Sequence, residues 1–381
     1  MEFKPEKKFG FGLMRLPVLA GSKPKSSDID IEQMKQMVDY FLDNGFTYFD
    51  TAWMYMGFAS ETAAKTALVD RHPRESFTLA SKLHANYFDS LEGRDEVFNK
   101  QLEKTGAGYF DYYLLHGIDG KMIDKYEKFE CFKWMQDKKA AGLIKHAGFS
   151  YHDKPELLDR ILTDHPEVEF VQLQINYLDW DSDWIQSRGC YEVCVKHGKP
   201  VIVMEPVKGR SLAKIPADGR KLFTALDPAM SMPSWAIRFA ASLDNVMVVL
   251  SGMSSMEQMQ DNVSYMKDFK PLTQEEKDTC FKVAQIINDQ IAIPCTGCSY
   301  CTEGCPQRIP IPRYFSLYNE DMREDLETKG WTVNFNNYNN IADGAGKASD
   351  CVECGQCEDV CPQHLTIINY LKDVAKHYEK A

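Results

Sequence analysis

Seven short apolar runs, separated by segments with helical spacing, constrain the fold of this 381-residue chain more than any other feature. Continuous apolar strands that alternate with helices indicate a parallel sheet buried on both faces. Seven such runs favour an eightfold β/α barrel, a TIM barrel of the α/β class. On pattern alone an open doubly wound sheet is the alternative, although no G-x-G-x-x-G follows the first run. The runs are residues 46–52, 77–83, 109–117, 144–150, 170–176, 200–206 and 245–252.

Glycines mark the stretch that precedes the first of these runs. Residues 9–17 read FGFGLMRLP, and their glycines predict a turn or small hairpin that closes the bottom of the barrel. The eighth strand has no clear place in the sequence. We expect the barrel to occupy residues 1–275. A smaller, mainly helical unit is expected over residues 276–381, with a thin hydrophobic core that metal clusters organise.

Two near-copies of one cysteine spacing lie in the C-terminal region. Each run follows C-x2-C-x2-C-x3-C-P, the spacing that bacterial ferredoxins use for [4Fe–4S] clusters. The fourth cysteine of such a run normally ligates the other cluster. We therefore expect a ferredoxin-like unit with two [4Fe–4S] clusters. One is predicted to bind Cys295, Cys298, Cys301 and Cys361, and the other Cys351, Cys354, Cys357 and Cys305.

Zinc is the alternative metal for paired cysteines. Zinc sites usually combine two C-x2-C units, and they do not use eight cysteines in this rhythm. The chain begins with a charged segment that lacks the apolar stretch of a signal peptide, which predicts a cytoplasmic protein. In that reducing compartment, such cysteines indicate metal or redox sites rather than disulfides.

The composition argues against two classes of partner. The formal net charge of −12 disfavours nucleic acid and anionic membranes, because both demand clustered Lys and Arg. No apolar run reaches the roughly 18 residues that a membrane span needs. We therefore expect neither nucleic acid nor membrane as a partner.

Polar side chains stand at the ends of the first three runs. Asp50 ends the first run and Tyr55 follows in its loop, Lys82 ends the second, and His116 ends the third. In a β/α barrel the strand ends and the loops after them form the catalytic face. Each residue alone has a structural alternative: a helix cap, a rim aromatic, a solvated charge or a satisfied core histidine. Their occurrence at successive strand ends indicates a catalytic site.

Together these four side chains suit the protonation of a carbonyl oxygen while a hydride reaches its carbon. A tyrosine with an ordinary pKa of about 10 is a poor acid unless its phenolate is stabilised. The Lys82 ammonium would stabilise it, and Asp50 would hold that ammonium in place. His116 would then hydrogen-bond the substrate oxygen. Candidates for the wall of the substrate pocket are Trp53, Tyr55, His84 and Tyr87.

The chain resembles the aldo-keto reductase superfamily, and within it a bacterial branch with a C-terminal two-cluster ferredoxin-like domain. The resemblance rests on GFGLMRLP, NGFTYFDTAWMY, ASK, DYYLLH, GLIKHAGFS, VQLQINYLD, MEPVKG and LSGMSSMEQMQDN, together with both cysteine runs. It implies an oxidoreductase that reduces a small-molecule carbonyl such as an aldehyde, ketone or sugar, with Tyr55 as general acid. It also implies that Asp50, Tyr55, Lys82 and His116 are the catalytic tetrad. The implied cofactor is NAD(P)H, bound across the barrel mouth without a Rossmann fingerprint.

The same resemblance carries the nicotinamide-binding positions onto this sequence. Ser150 and Gln174 would hold the nicotinamide carboxamide, and Asn262 would contact the adenine. The loop that follows MEPVKG would wrap the pyrophosphate near Gly209, Ser211 and Leu212.

Four positions depart from the family's usual pattern. Tyr151 stands where many relatives have Asn, and Glu205 where many have an aromatic that stacks on nicotinamide. Gly252 and Gln258 replace the Lys and Arg that commonly clasp a 2′-phosphate. A 2′-phosphate needs cationic partners, so the choice between NADH and NADPH stays open. Nearby cations that would compensate are Lys208 and Arg210.

Nicotinamide and iron–sulfur clusters transfer different numbers of electrons in one step. A hydride carries two electrons, whereas a cluster passes one at a time, and a flavin normally converts one into the other. No flavin motif is evident, so a bound flavin and an external carrier such as ferredoxin stay open. The clusters either pass electrons or only stabilise the fold. These two roles of the clusters give two hypotheses for a carbonyl-reducing enzyme. A third hypothesis is an electron-transfer or redox-sensing adaptor, whose barrel is not a nicotinamide-dependent reductase. The complete set of four polar residues favours an oxidoreductase.

Overall fold

In a computed structural model of the chain, eight parallel strands form a closed barrel in sequence order. The structure describes residues 4–22, 27–182, 185–289, 292–293, 295, 297, 299–322, 332–361 and 365–379. The first and eighth strands close the ring, with Gly10 beside Leu250. The barrel prediction is thus confirmed over the open sheet. Strands β1 to β8 are Phe9–Gly12, Tyr48–Asp50, Thr78–His84, Phe110–Ile118, Ile144–Tyr151, Phe170–Gln174, Val201–Met204 and Val246–Ser251.

Helices follow the strands and pack around them. The helix α1 begins at an N-cap, Asp30, whose carboxylate accepts from the Gln33 amide at 3.0 Å, and it buries an apolar face against the barrel. Within the described residues the helices α1 to α17 are Ile31–Asp43, Tyr55–Phe58, Ser60–Ala64, Leu91–Thr105, Ile123–Lys128, Cys131–Ala140, Pro155–Asp164, Ser187–Lys196, Ala217–Leu226, Met232–Ala241, Met256–Met266, Gln274–Asp289, Tyr300–Glu303, Ile311–Met322, Val333–Ala342, Gln356–Asp359 and Ile367–Tyr378. None of these helices is long and apolar enough to cross a membrane.

The glycine-rich stretch at residues 9–17 holds the missing strand, so the prediction of a hairpin there is wrong. A Cβ atom on Gly10 would lie only 2.8–2.9 Å from side-chain atoms of Leu250, Tyr48 and Val248. Glycine is therefore needed at this point of the barrel wall because large neighbouring side chains fill the space. The composition that suggested a turn reflects close packing inside a strand.

The chain forms two compact units. The first, Met1–Ala213 with Asp227–Cys280, contains the barrel; the second, Lys214–Leu226 with Phe281–Ala381, contains both cysteine runs. The second unit is mainly helical, and its core is richer than the expected thin one. Tyr338 lies 4.5 Å from Tyr314 and 4.8 Å from Tyr378 between ring centroids. Cys301, Cys357 and Cys361 belong to the same buried cluster.

Candidate functional site

A buried ion pair joins the ends of β2 and β3. The Lys82 ammonium donates to Asp50 Oδ1, and at 2.8 Å to the backbone oxygen of Thr51. Lys82 is fully buried and Asp50 is 2% exposed. A charge at such a place is tolerated only when it is paired and hydrogen-bonded, so the pair holds the ammonium at the mouth of the barrel.

The phenol and the imidazole of the predicted tetrad lie beside this pair. The Lys82 ammonium is 4.9 Å from the centroid of the Tyr55 ring. The rings of Tyr55 and His116 meet edge to face, with centroids 5.7 Å apart. Tyr55 begins α2, where Met56 and Phe58 have positive φ values of 52° and 71°. Such strained backbone is characteristic of functional sites.

Burial and neighbouring charges set the protonation states of the phenol, the ammonium and the imidazole. Burial raises the pKa of Tyr55, and the Lys82 ammonium opposes this rise without cancelling it. Burial alone would lower the pKa of Lys82, but attraction to Asp50 and then to Tyr55 keeps it above its ordinary value. Burial, and then repulsion by Lys82, holds the pKa of His116 well below its usual range. At neutral pH the site therefore contains a protonated phenol, an ammonium and a neutral imidazole.

Two polar atoms of the site have no hydrogen-bond partner in the described part of the chain. They are Asp50 Oδ2 and His116 Nδ1, both buried. Buried polar atoms are rarely left unpaired in native proteins, and exceptions are common where another molecule or an ordered water completes the site. The site therefore fits a binding role.

Acidification is expected to destabilise the barrel through its mouth histidines. Burial lowers the pKa of His84, His116 and His152 in the folded protein. Below the unfolded value of about 6.5, the unfolded chain binds more protons than the folded one, so stability falls as pH falls. The fully buried His116 contributes up to about 1.4 kcal/mol per pH unit, and the half-buried His84 contributes less because solvent screens its charge. Urea unfolding between about pH 7.5 and 5.5 measures how the free energy of unfolding changes with pH. This free energy should fall less steeply with falling pH in the His116→Gln variant than in the wild type, and identical slopes for the two proteins would contradict the prediction.

Aromatic side chains form a continuous wall beside the tetrad. Trp53 contacts Phe58 at 6.0 Å between ring centroids, and Phe58 contacts Tyr87 at 5.6 Å. His84 continues the wall, at 5.8 Å from Tyr87 and 5.4 Å from His116. The predicted wall residues thus lie together. The sequence interpretation missed Phe58, because the turn that brings it into the wall has no local signal.

The predicted carboxamide-binding side chains stand at the ends of β5 and β6. Ser150 Oγ accepts from the Gly117 amide at 2.7 Å. Gln174 Nε2 donates to Asp179 at 2.8 Å, and the same carboxylate pairs with the Lys208 ammonium at 2.6 Å. Lys208 is therefore neutralised by Asp179. Gln174 also borders an open pocket between the β5 and β6 ends.

The predicted pyrophosphate and adenine positions lie after β7 and β8. A short helical segment, Lys208–Ala213, follows β7; in it Gly209 has a φ of 63°, Ser211 is exposed and Leu212 is buried. Asn262 on α11 is 5% exposed and donates to Ser251 Oγ at 2.9 Å. Its contact with adenine stays a prediction.

Three of the positions that differ from the family's usual pattern have contacts or a backbone conformation of their own. Tyr151 is buried, and its hydroxyl donates to the Lys154 carbonyl. Glu205 is exposed, with a φ of 53°. Gln258 accepts from the Ser254 amide at 2.8 Å, so it supports the loop after β8 as a neutral side chain.

Four cysteines from the two runs line one pocket in the second unit. They are Cys305 of the first run and Cys351, Cys354 and Cys357 of the second. These are the residues predicted to share one cluster by exchange of the fourth ligand. Cys298, predicted for the other cluster, lies outside the described residues. In the described ranges no group of three His, Cys, Asp or Glu side chains has the arrangement that would hold one metal ion.

The two cysteine runs have the same backbone turns. Positive φ values occur at Gly297 (68°) and Ser299 (65°), and at the corresponding Glu353 (56°) and Gly355 (79°). Short helices then carry the third cysteine of each run, Cys301 on α13 and Cys357 on α16. Left-handed residues that alternate with cysteines turn the loop around a common centre. The runs therefore fit [4Fe–4S] clusters in both sequence and conformation.

Family models match both parts of the chain. The model described as the Aldo/keto reductase family matches residues 8–285, and that of a 4Fe-4S dicluster domain matches residues 294–366. An uncharacterized oxidoreductase of Bacillus subtilis, YqkF, is 23% identical over 273 residues, which cover 63% of this chain and 84% of that protein. An aldo-keto reductase of Mycobacterium avium is 26% identical over 252 residues, which cover 65% of this chain and 80% of that protein.

Solved structures show the same barrel fold. The aldo-keto reductase AKR11C1 from Bacillus halodurans aligns with a TM-score of 0.59 and 23% identity, over 74% of this chain and 95% of that one. An aldo/keto reductase from Klebsiella pneumoniae, solved in complex with NADP and acetate, aligns with a TM-score of 0.59 and 19% identity, over 73% and 91% of the chains. With its family match across most of the sequence, the chain belongs to the aldo/keto reductase family of oxidoreductases and carries a C-terminal 4Fe-4S dicluster domain.

Proposed function

We propose that the barrel reduces an aldehyde, a ketone or a sugar carbonyl, with Tyr55 as proton donor and NAD(P)H as hydride donor. The observation that carries the proposal is the grouping of Tyr55, Lys82, Asp50 and His116 at one point of the barrel mouth. When bound, the reduced nicotinamide supplies a hydride to the carbonyl carbon.

The residues around the mouth fit a nicotinamide cofactor. Ser150 and Gln174 present a hydroxyl and an amide at the ends of adjacent strands, suited to a carboxamide. The NADP in the Klebsiella pneumoniae structure supports the same cofactor here. The exposed Glu205 offers no stacking surface, so hydrogen bonds rather than an aromatic ring would orient the nicotinamide.

Each residue of the tetrad has a separate task. His116 is neutral, so it can hydrogen-bond the carbonyl oxygen without adding a competing charge. As that oxygen gains negative charge, Tyr55 gives it a proton: the phenol O–H bond breaks and the alcohol O–H bond forms. The Lys82 ammonium stabilises the phenolate that remains, and Asp50 fixes the ammonium. Water then reprotonates the phenolate.

We propose a second, electron-transfer role for the ferredoxin-like unit, placed at residues 276–381. Clusters bound there by the two sets of cysteines would pass one electron at a time. The observation that favours this role is exposure: Cys354 is exposed in a unit that already has an aromatic core of its own. A ligand at the surface suits exchange with an external carrier such as a ferredoxin, whereas a purely structural cluster needs no exposed edge.

Anaerobically purified full-length protein tests both roles. Mixed with aldehydes, ketones and sugars, it should consume NADPH or NADH and form the corresponding alcohol. The Cys354→Ser variant should keep this activity within about a factor of three, because hydride transfer needs no one-electron step. In a separate assay the clusters are reduced with dithionite and the excess is removed; the wild type should then pass one electron from each of its two clusters to a one-electron acceptor dye, and the variant, with one cluster lost, should reduce less dye. Absence of carbonyl reduction with either nucleotide would refute the first role, and dye reduction unchanged by Cys354→Ser would refute the second.

A further inference from the structure

We propose that Arg15, with Arg210 beside it, binds a phosphate group of the nicotinamide dinucleotide. The inference rests on the proposed function and adds Arg15, which the sequence interpretation did not assign, to Arg210, which it named as a compensating cation. Arg15 lies in the loop after β1, and Arg210 in the loop after β7. Both loops leave the carboxyl ends of their strands, as does the loop that carries Tyr55.

Arg15 takes the place of the side chain that Gly252 lacks. A Cβ atom on Gly252 would lie 3.3 Å from Arg15 Cβ, 3.5 Å from Cδ and 3.6 Å from Cγ. The stem of the arginine therefore packs over the position where many relatives have a phosphate-binding Lys. The cation that is absent from the β8 loop is supplied here by the β1 loop.

Hydrogen bonds fix Arg15 between three loops. Its Nη1 donates to the Gly209 carbonyl at 3.2 Å, in the predicted pyrophosphate loop. Its own carbonyl accepts from Ser254 Oγ at 2.9 Å, in the loop after β8. A half-buried guanidinium held in this way loses little additional freedom when it binds an anion.

The charges around Arg15 suit the binding of an anion. Burial, and then repulsion by Arg210, lowers the pKa of Arg15. In the described part of the chain neither guanidinium forms an ion pair with a carboxylate within 4.0 Å; Glu205 attracts Arg15 from farther away. Lys208 is already paired with Asp179 and cannot serve. Two neighbouring arginines without a paired carboxylate suit bidentate recognition of phosphate.

The backbone that carries Arg210 is strained. Lys208, Gly209 and Arg210 have φ values of 44°, 63° and 102° in succession. A side chain at a φ of 102° is disfavoured, and such conformations persist mainly at binding and catalytic sites. Arg210 directly follows Gly209, whose carbonyl accepts from Arg15, so the same loop carries both the contact and the second cation.

Equilibrium binding of NADPH and NADH to the full-length protein tests this assignment. Arg15→Gln should weaken binding about tenfold or more, the usual effect of losing a charge-assisted hydrogen bond to phosphate. A loss confined to NADPH identifies the 2′-phosphate as the ligand, and an equal loss for both nucleotides identifies the pyrophosphate. In the double variant Arg15→Ala/Gly252→Lys, which moves the cation to the β8 loop, affinity should return at least in part.

A charge-matched control is Lys133→Gln on the exposed surface of α6, which should bind both nucleotides like the wild type. Thermal unfolding of each variant checks that the barrel is intact, and Arg15→Lys should retain part of the affinity. Wild-type affinity of a folded Arg15→Gln variant for both nucleotides would overturn the assignment while leaving the proposed function standing. Failure of the wild type to bind either nucleotide would overturn both.

Discussion

Replacement of Tyr55 by Phe should lower the kcat of carbonyl reduction by about 10²- to 10⁴-fold, the usual contribution of a general acid. The dissociation constant of the nicotinamide nucleotide should stay within about twofold, because the change removes one hydroxyl and keeps the ring. The ring contacts with His116 and the Lys82 ammonium remain available. The effect is therefore expected in chemistry rather than in binding.

The size of this effect follows from the environment of the phenol. Burial raises the pKa of Tyr55, so the hydroxyl keeps its proton until the substrate oxygen becomes strongly basic. In the proposed mechanism Lys82 would then stabilise the phenolate from the position in which Asp50 holds it. In the phenylalanine variant only His116 or water can reach the oxygen, and neither is held by this pair.

A tyrosine outside the mouth provides the control. Tyr40 lies on α1, on the outside of the barrel, and Tyr40→Phe removes the same atom without touching the tetrad. Turnover of Tyr40→Phe should match the wild type. Equal turnover of Tyr55→Phe and wild type would remove Tyr55 from the role of acid.

Loss of a single cysteine should remove one specific cluster and thereby reveal the exchange of ligands. Cys305→Ala and Cys354→Ala should lose the same cluster, because both residues line one pocket. Cys301→Ala should lose the other. Each variant should retain about four of the eight irons expected for two [4Fe–4S] clusters. Iron analysis and electron paramagnetic resonance of the reduced proteins would show one residual spectrum for the first two variants and a different one for the third.

A cysteine outside the runs completes this comparison. Cys194 lies buried on α8 in the barrel unit, and Cys194→Ala should keep all the iron. If Cys305→Ala instead gave the same residual spectrum as Cys301→Ala, each run would hold its own cluster. The pocket that Cys305 shares with the second run would then need another explanation.

Much of the barrel could be predicted from the sequence, because seven of its strands are buried on both faces and are therefore continuously apolar. The first strand was not predictable in this way. Gly10 is required by the side chains of Tyr48, Val248 and Leu250, which are distant in sequence. A local rule interprets such a glycine as a turn, and only the closed ring shows that it faces a crowded interior.

The grouping of the tetrad was predictable for a similar reason. Strand ends in a parallel barrel meet at one mouth, so Asp50, Lys82 and His116 had to come close. Their protonation states were not predictable, because they depend on burial and on which neighbour is paired. The sequence pointed to a phenol acidified by Lys82, whereas burial outweighs that effect and keeps the phenol protonated.

Which positively charged side chains at the barrel mouth are free to bind an anion was not predictable from the sequence either. Lys208 and Arg210 looked equivalent in the sequence, two residues apart. The structure separates them, because Lys208 is bound by Asp179 whereas Arg210 lies beside Arg15. Arg15 was absent from the predicted set, since its approach to Gly252 joins residues from opposite ends of the barrel sequence.

The most direct test of hydride transfer in the barrel uses a nicotinamide labelled with deuterium. Protein that reduces an aldehyde with NADPH carrying deuterium at the transferable C4 position should give an alcohol with deuterium on the former carbonyl carbon. Mass spectrometry of the product measures this transfer, with Tyr55→Phe as the slow reference. Deuterium on that carbon is the predicted result; an alcohol formed without it, in a reaction that still consumes the nucleotide, would contradict direct hydride transfer in the barrel.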